Sequence, residues 1–163
     1  MAISKTDLKV LSYLRSDARS SISSISAEID VPVSSVLSRL RMLEDKIIKK
    51  YSTLLNYSKI GFVQINLIIM AGARKSDKDA LRSFLMEHPN VNSLFQVSDG
   101  FDFYLETVFK DIKGFYDFTD SLSSFKIRKI EEHHVIEEIK KEEFLTKDSG
   151  AVYIEYPRHM FIF

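Results

Sequence analysis

Three serines and an arginine, spaced to share one side of a helix, give the first chemical signal in the sequence. In VPVSSVLSRLRMLEDK, Val36, Leu40 and Leu43 repeat at i, i+4 and i+7. A helix there buries that stripe and turns Ser34, Ser35, Ser38, Arg41 and Met42 to the other side. Small hydroxyl side chains let a helix come close to a nucleic-acid backbone, and arginine pairs with a guanine edge or clamps a phosphate. Lys49 and Lys50 follow directly and supply cations for phosphate contact. Arg39 borders the buried stripe and serves either as a DNA contact or as half of a structural ion pair. Taken alone, the same run also describes a plain solvated helix face.

A second group lies in VSDGFD, where Asp99, Gly100, Phe101 and Asp102 surround a tight turn. Asp-Gly is a strong hairpin dipeptide, because both central positions of the favoured turn need positive φ. These four residues are candidates for holding a small effector, with His134 as a further lining residue, although a turn with a strand-end aspartate explains them equally well. His133 and His134 sit among Glu131 and Glu132, but neighbours on a strand point to opposite faces and ligate one ion poorly, so no metal site is expected. The pairs Glu137-Glu138 and Glu142-Glu143, with Lys140-Lys141, read as a solvated end. Neither a glycine-rich phosphate loop, nor a nucleophile elbow, nor HExxH occurs, and no cofactor is expected.

The chain has 163 residues, enough for one ordinary domain or two small ones. Its 45% hydrophobic and 28% charged residues are those of a folded protein, and the absence of cysteine excludes disulfides, thiolate catalysis and Cys-based zinc sites. The 23 cations and 23 anions cancel, so a case for a polyanionic partner rests on their placement. Residues 1–51 hold nine cations and six anions, whereas the remainder holds 14 and 17. The front is therefore mildly basic and the back mildly acidic. No run reaches the roughly 18 apolar residues of a membrane span and the start is a charged amphipathic pattern, which makes a cytoplasmic location the default expectation.

Periodicity places these groups on elements. Thr6 is the expected cap of a first helix whose stripe is Leu8, Leu11 and Leu14, widened by Val10 and Tyr13. Ser20, Ser21 and Ser23 offer caps for a second, carrying Ile22, Ile25 and Ile29 and broken by Asp30. After the third helix, residues 47–51 read as a strand or wing. A linker over 52–61 precedes a buried strand at 62–71, a turn at 72–77 and a helix at 78–87 ended by His88-Pro89-Asn90. A strand at 91–97, with Val91, Phe95 and Val97 on one side, turns at Asp99-Gly100 into an antiparallel strand at 101–109. A helix over 111–123, with Phe115, Phe118 and Leu122 inward, and a strand at 127–139 complete the order.

The expected fold class is α+β: a winged helix-turn-helix over residues 1–51, then a ferredoxin-like βαββαβ domain over 62–140. Both helices of that domain cover one face of its sheet. Ile68 and Met70 on the other face call for a second sheet, hence a homodimer joined face to face. Residues 141–163 form a C-terminal tail, whose AVYIEYPRHMFIF reads as a strand or docked segment.

The runs TDLKVLSYLRSDARSSISSISAEIDVPVSSVLSRLRMLEDKIIKKY, LLNYSKIGF, HPNVNSLFQVSDGFDFYLETVF and KIEEHHVIEEI resemble the Lrp/AsnC family of transcriptional regulators of bacteria and archaea. The resemblance spans residues 5 to about 140. It implies double-stranded DNA and a small effector, often an amino acid, as partners, and assembly into dimers that often go on to octamers. Three features depart from the family pattern. Asp30 and Pro32 stand where glycine and a serine cap are usual, the glycine before the wing is missing, and VSDGFD replaces Val-Thr-Gly-x-x-Asp at the turn that the resemblance places beside the effector. Two other readings remain open: a tetrapyrrole enzyme of the sirohaem decarboxylase type, which shares the two-domain plan, and an effector-sensing module that no longer binds DNA.

Overall fold

The computed structural model describes residues 3–146. Three helices, α1 (Lys5–Ser16), α2 (Ile22–Ile29) and α3 (Val33–Lys46), are followed by a 3-10 turn at Ser58–Ile60. Then come β1 (Val63–Ala71), α4 (Lys75–Glu87), β2 (Val91–Gln96), β3 (Phe103–Phe109), α5 (Ile112–Leu122) and β4 (Ile127–His134). The chain divides into two compact units, one running to Thr53 and resuming at Ile139, the other spanning Leu54–Glu138.

In the first unit α1 starts earlier than its periodicity suggests. Ser4, not Thr6, is the cap. Its hydroxyl accepts from the Asp7 N–H at 3.1 Å while the Asp7 carboxylate accepts from the Ser4 N–H at 2.8 Å, a reciprocal box that a cap at Thr6 lacks. Val10, Ile25, Ile29, Val36 and Leu43 form the core, with Leu11, Tyr13, Leu14 and Ile22 half-buried around it. Ser21 caps α2 by accepting from the Ser24 N–H. At its other end Asp30 takes φ +54, the left-handed conformation that glycine usually supplies and that aspartate tolerates. The Ser26 hydroxyl donates to the Val31 carbonyl at 2.6 Å and fixes the join to α3.

Residues 47–51 do not form the expected strand. The Ile47 and Ile48 N–H groups both turn back to the Leu43 carbonyl, Ile48 packs into the core, and among the described residues no strand runs alongside to pair with this segment. An unpaired strand has no ladder to hold it, so the wing is irregular.

The second unit is an antiparallel sheet in the order β2-β3-β1-β4, the topology of a ferredoxin-like domain. Alternate residues of β1 (Ile65, Leu67, Ile69, Ala71) and β3 (Phe103, Leu105, Thr107, Phe109) are buried against Leu81 and Leu85 of α4 and Phe115, Phe118 and Leu122 of α5. Both helices thus cover one face. The other face is mixed instead of apolar throughout: Ile68 and Met70 share it with Asn66, which donates to the Tyr104 hydroxyl, and Ser93 donates to Glu106 across β2 and β3.

Three features of this unit differ from the sequence expectation beyond the late start of β3 at Phe103. First, α4 begins at Lys75, three residues early. The strand β2 carries an irregularity between Val91 and Ser93, so Val91 pairs with Thr107 on the helix side while Phe95 pairs with Tyr104 on the open side. Strict alternation across 91–97 therefore fails. Last, β4 ends at His134 because β1, its partner, begins at Val63; the Val135 N–H makes the final bond, to the Gln64 carbonyl. The expected strand in AVYIEYPRHMFIF lies outside the described residues.

His88 closes α4 with its ring between Phe84 and Phe118, at centroid distances of 5.3 and 4.7 Å. Burial lowers its pKa below the ordinary 6.5, and its Nδ1 accepts from the Asn90 N–H, which requires the neutral ring. The unfolded chain therefore binds a proton that the native chain resists. This contribution to stability is complete above pH 6.5 and is lost as the pH falls through the unfolded value toward the folded one. Urea midpoints measured from pH 7.5 to 5 should fall in the native protein and flatten in His88→Leu; an equal slope in both would remove His88 as the cause.

Candidate DNA-contacting helix and effector hairpin

The helix α3 presents the expected face. Ser34, Ser35, Ser38 and Arg41 are exposed and occupy about a third of its circumference. Ser34, Ser35 and Ser38, with Arg39 and Met42, line a shallow hollow of about 450 Å³. Met42 is not an outward residue: it is half-buried and packs against the core of the unit. Pro32 precedes the helix and contributes no side-chain cap, while its carbonyl accepts from the Ser35 and Val36 N–H groups at 2.9 and 3.0 Å. Lys49 and Lys50 are exposed on the irregular segment after α3. The Tyr51 hydroxyl donates to Glu44 at 2.9 Å and ties that segment to α3; burial first, then this carboxylate, pushes the phenol up to about 12.

Arg39 is committed elsewhere. Its Nη1 donates to Asp7 Oδ1 at 2.8 Å and to the Ser4 hydroxyl at 2.9 Å, fastening α3 to the cap of α1. Asp7 is 2% exposed. Burial pushes its carboxyl up, but the Ser4 hydroxyl and N–H and the Arg39 guanidinium outweigh burial and hold it below its ordinary 3.8. Arg39 thus stands at the edge of the exposed face with a structural duty, the second of its two sequence readings.

At the hairpin, Asp99 and Gly100 both take positive φ, +64 and +95, as the dipeptide demands, and both are exposed. An added Cβ at Gly100 meets nothing within 4 Å, so Gly100→Ala costs backbone strain alone. About 1 kcal/mol of stability should be lost, read as a shifted urea midpoint, and no loss would mean the turn is free to change type. Phe101 lies beneath Lys129 Nζ, 5.4 Å from the ring centroid.

Asp102, an effector candidate or a strand-end aspartate by its sequence, has structural partners here. Its Oδ2 accepts from the Ala71 N–H at 2.9 Å, its Oδ1 accepts from Lys78 Nζ at 2.5 Å, and its own N–H donates to the Ile69 carbonyl. The carboxylate is bound to β1 and α4, and what it fixes is the root of the hairpin. Neither Lys78 nor Lys129 stands out in the sequence, since each meets the hairpin only through the sheet and α4.

His134 is not brought to this group. It pairs with Ile65, whereas the hairpin root bonds to Ile69 and Ala71. At about 3.3 Å per strand residue that separates them by roughly 13–20 Å within one chain. The His134 ring packs 6.1 Å from Phe115, while His133 pairs with Asn66 on the open face, so the two rings do point apart. Among the described residues no three His, Asp or Glu side chains converge as a metal site would need, and no helix is long and apolar enough to cross a membrane.

Two family models match the chain: a winged helix-turn-helix DNA-binding domain over residues 3–46, and the Lrp/AsnC ligand binding domain over residues 62–144. A helix-turn-helix transcriptional regulator of Pyrococcus horikoshii is 30% identical over 112 residues, covering 68% of this chain and 70% of its own length. Another, from Pyrococcus furiosus, is 28% identical over 145 residues, covering 88% and 97%. Among solved structures, a Neisseria meningitidis transcriptional regulator in complex with L-methionine superposes with a TM-score of 0.78 at 26% identity, covering 86% of this chain and 94% of its own. The exposed face of α3, the ferredoxin-like sheet and these matches agree, and the chain belongs to the Lrp/AsnC family of DNA-binding transcriptional regulators.

Proposed function

We propose that the chain recognises specific double-stranded DNA through α3, with Ser34, Ser35 and Ser38 against the backbone and Arg41 reading a base edge. The observation that carries this is the exposed arc of α3, polar and cationic on the second helix of a helix-turn-helix whose opposite side is core. Lys49 and Lys50 act as phosphate contacts. Lys50→Ala should weaken all duplexes alike and reduce the slope of log K against log salt by about 1; selective loss on one sequence would contradict a phosphate role.

The functional unit in this reading is a homodimer built on the open sheet face, where no element of the second unit covers Ile68 and Met70 among the described residues, with octamers as a further stage. Its operators carry two half-sites about one helical turn apart, or a multiple of that. Asp99, Gly100 and Phe101 remain the effector candidates, with Asp102 positioning them. His134 joins them only if a second copy supplies it. An amino acid is the proposed class of effector, supported by the L-methionine of the Neisseria relative. The protein acts in the cytoplasm as a regulator and not as an enzyme, in keeping with relatives that are named as transcriptional regulators. Selecting bound duplexes from a random pool, then repeating the selection with each free amino acid, tests the reading; failure to retain any duplex at low salt would end it.

A further inference from the structure

Past β4 the chain returns to the winged helix. Residues 139–146 group with the first unit, not with the sheet they leave. The attachment is Arg15, in the last turn of α1. Its Nη1 donates to Glu142 Oε2 at 2.7 Å, its Nη2 to the Glu142 carbonyl at 2.8 Å, and its Nε to the Phe144 carbonyl at 3.1 Å. Three donors of one planar guanidinium thus engage two residues of one segment, a match that the single ammonium of lysine does not reproduce. Glu142 and Leu145 hold φ values of +56 and +60. Non-glycine residues stay in that region only where their surroundings fix them. The Arg15 and Glu142 side chains are 36% and 48% exposed, so the contact is open to solvent, screened by salt and reversible.

We propose that Arg15 is a latch that fastens the segment 139–146 to α1 and thereby sets how well the paired winged helices engage DNA. The stretch that enters β1 is one connection between the winged helix and the sheet domain; the latched segment is a second. A body held by two connections samples fewer orientations than one held by a single tether. Latching therefore raises the effective concentration of the second recognition helix at its half-site once the first is bound. Opening the latch leaves each winged helix folded and weakens only the binding that needs two helices at fixed spacing. This rests on the reading that a homodimer of the chain binds DNA.

The test uses the full chain, a duplex selected by the native protein from a random pool, and the same duplex cut to one half-site. Arg15→Ala should lose about tenfold in affinity for the whole duplex and less than twofold for the half-site. Arg15→Lys should behave as Arg15→Ala does, Glu142→Ala should lose less because it keeps both bonds to backbone carbonyls, and the double variant should be no worse than Arg15→Ala. Trypsin should cut after Lys140 and Lys141 faster in all of these variants, with thermal midpoints unchanged. Full recovery in Arg15→Lys, equal loss on both duplexes, or an unaltered cleavage rate would overturn the latch. Should the native chain retain no duplex at all, the DNA-binding reading fails, and the trypsin comparison still decides whether the latch exists.

Discussion

Asp7→Ala should lower the stability of the protein by about 2–3 kcal/mol, although Asp7 lies outside the face assigned to DNA. Two losses combine. The reciprocal cap between Ser4 and Asp7 is worth about 1 kcal/mol, and the charge-assisted bond from Arg39 adds roughly 1.5–3 kcal/mol. Relief of a buried carboxylate offsets part of the sum, and the 39% exposure of the Arg39 side chain screens part of the attraction. Arg39→Ala should move the same way, because it leaves a carboxylate that is 2% exposed with Ser4 as its remaining partner. The double variant should lose less than the two single losses added together. Because the folded carboxyl titrates below 3.8, its contribution is complete above that value and disappears as the pH falls through the folded one. Urea unfolding at pH 7 and pH 3 measures both effects: a shift under 0.5 kcal/mol for Asp7→Ala at pH 7 would show that the Ser4–Asp7–Arg39 cluster contributes little to holding the helices together.

Arg41→Ala is expected to do the opposite, leaving stability within about 0.5 kcal/mol and removing DNA affinity. Arg41 is exposed on the same arc as Ser34 and Ser38. A well-placed arginine on a guanine edge is worth about 1–3 kcal/mol, or roughly 5- to 150-fold in affinity for the selected duplex, with little change on unrelated sequence. A gel-shift titration beside a thermal melt separates the two arginines. Arg39→Ala should lower the melting point, and Arg41→Ala the affinity. Unchanged affinity in Arg41→Ala would move base reading to another residue of α3, and an equal loss on all duplexes would make Arg41 a phosphate clamp.

The same contrast marks how far the site could be read from the chain itself. A stripe of Val36, Leu40 and Leu43 fixes which side of α3 faces outward, because helical rotation is a local property. Sequence alone left Arg39 with two duties, since the deciding partner is Asp7, on another helix. At the hairpin, Asp-Gly announced two positive φ values and the backbone has them. Asp102 read equally as an effector contact or a strand-end aspartate, for want of any sign that Lys78, 24 residues away, would reach it.

What the sequence determined was what nearest neighbours along the chain can decide: the serine-and-arginine side of α3, the end of α2 at Asp30, the Asp99-Gly100 hairpin and the strand and helix order that defines an Lrp/AsnC chain. The tertiary structure alone decided what depends on a partner distant in sequence. It set the β2 irregularity against β3, the end of β4 where β1 runs out, the unpaired wing, the distance of His134 from the hairpin, and the grip of Arg15 on Glu142. Periodicity reports the orientation of each residue about its own axis. Which distant group arrives opposite it is fixed only when the elements pack, and that packing carries no local signature.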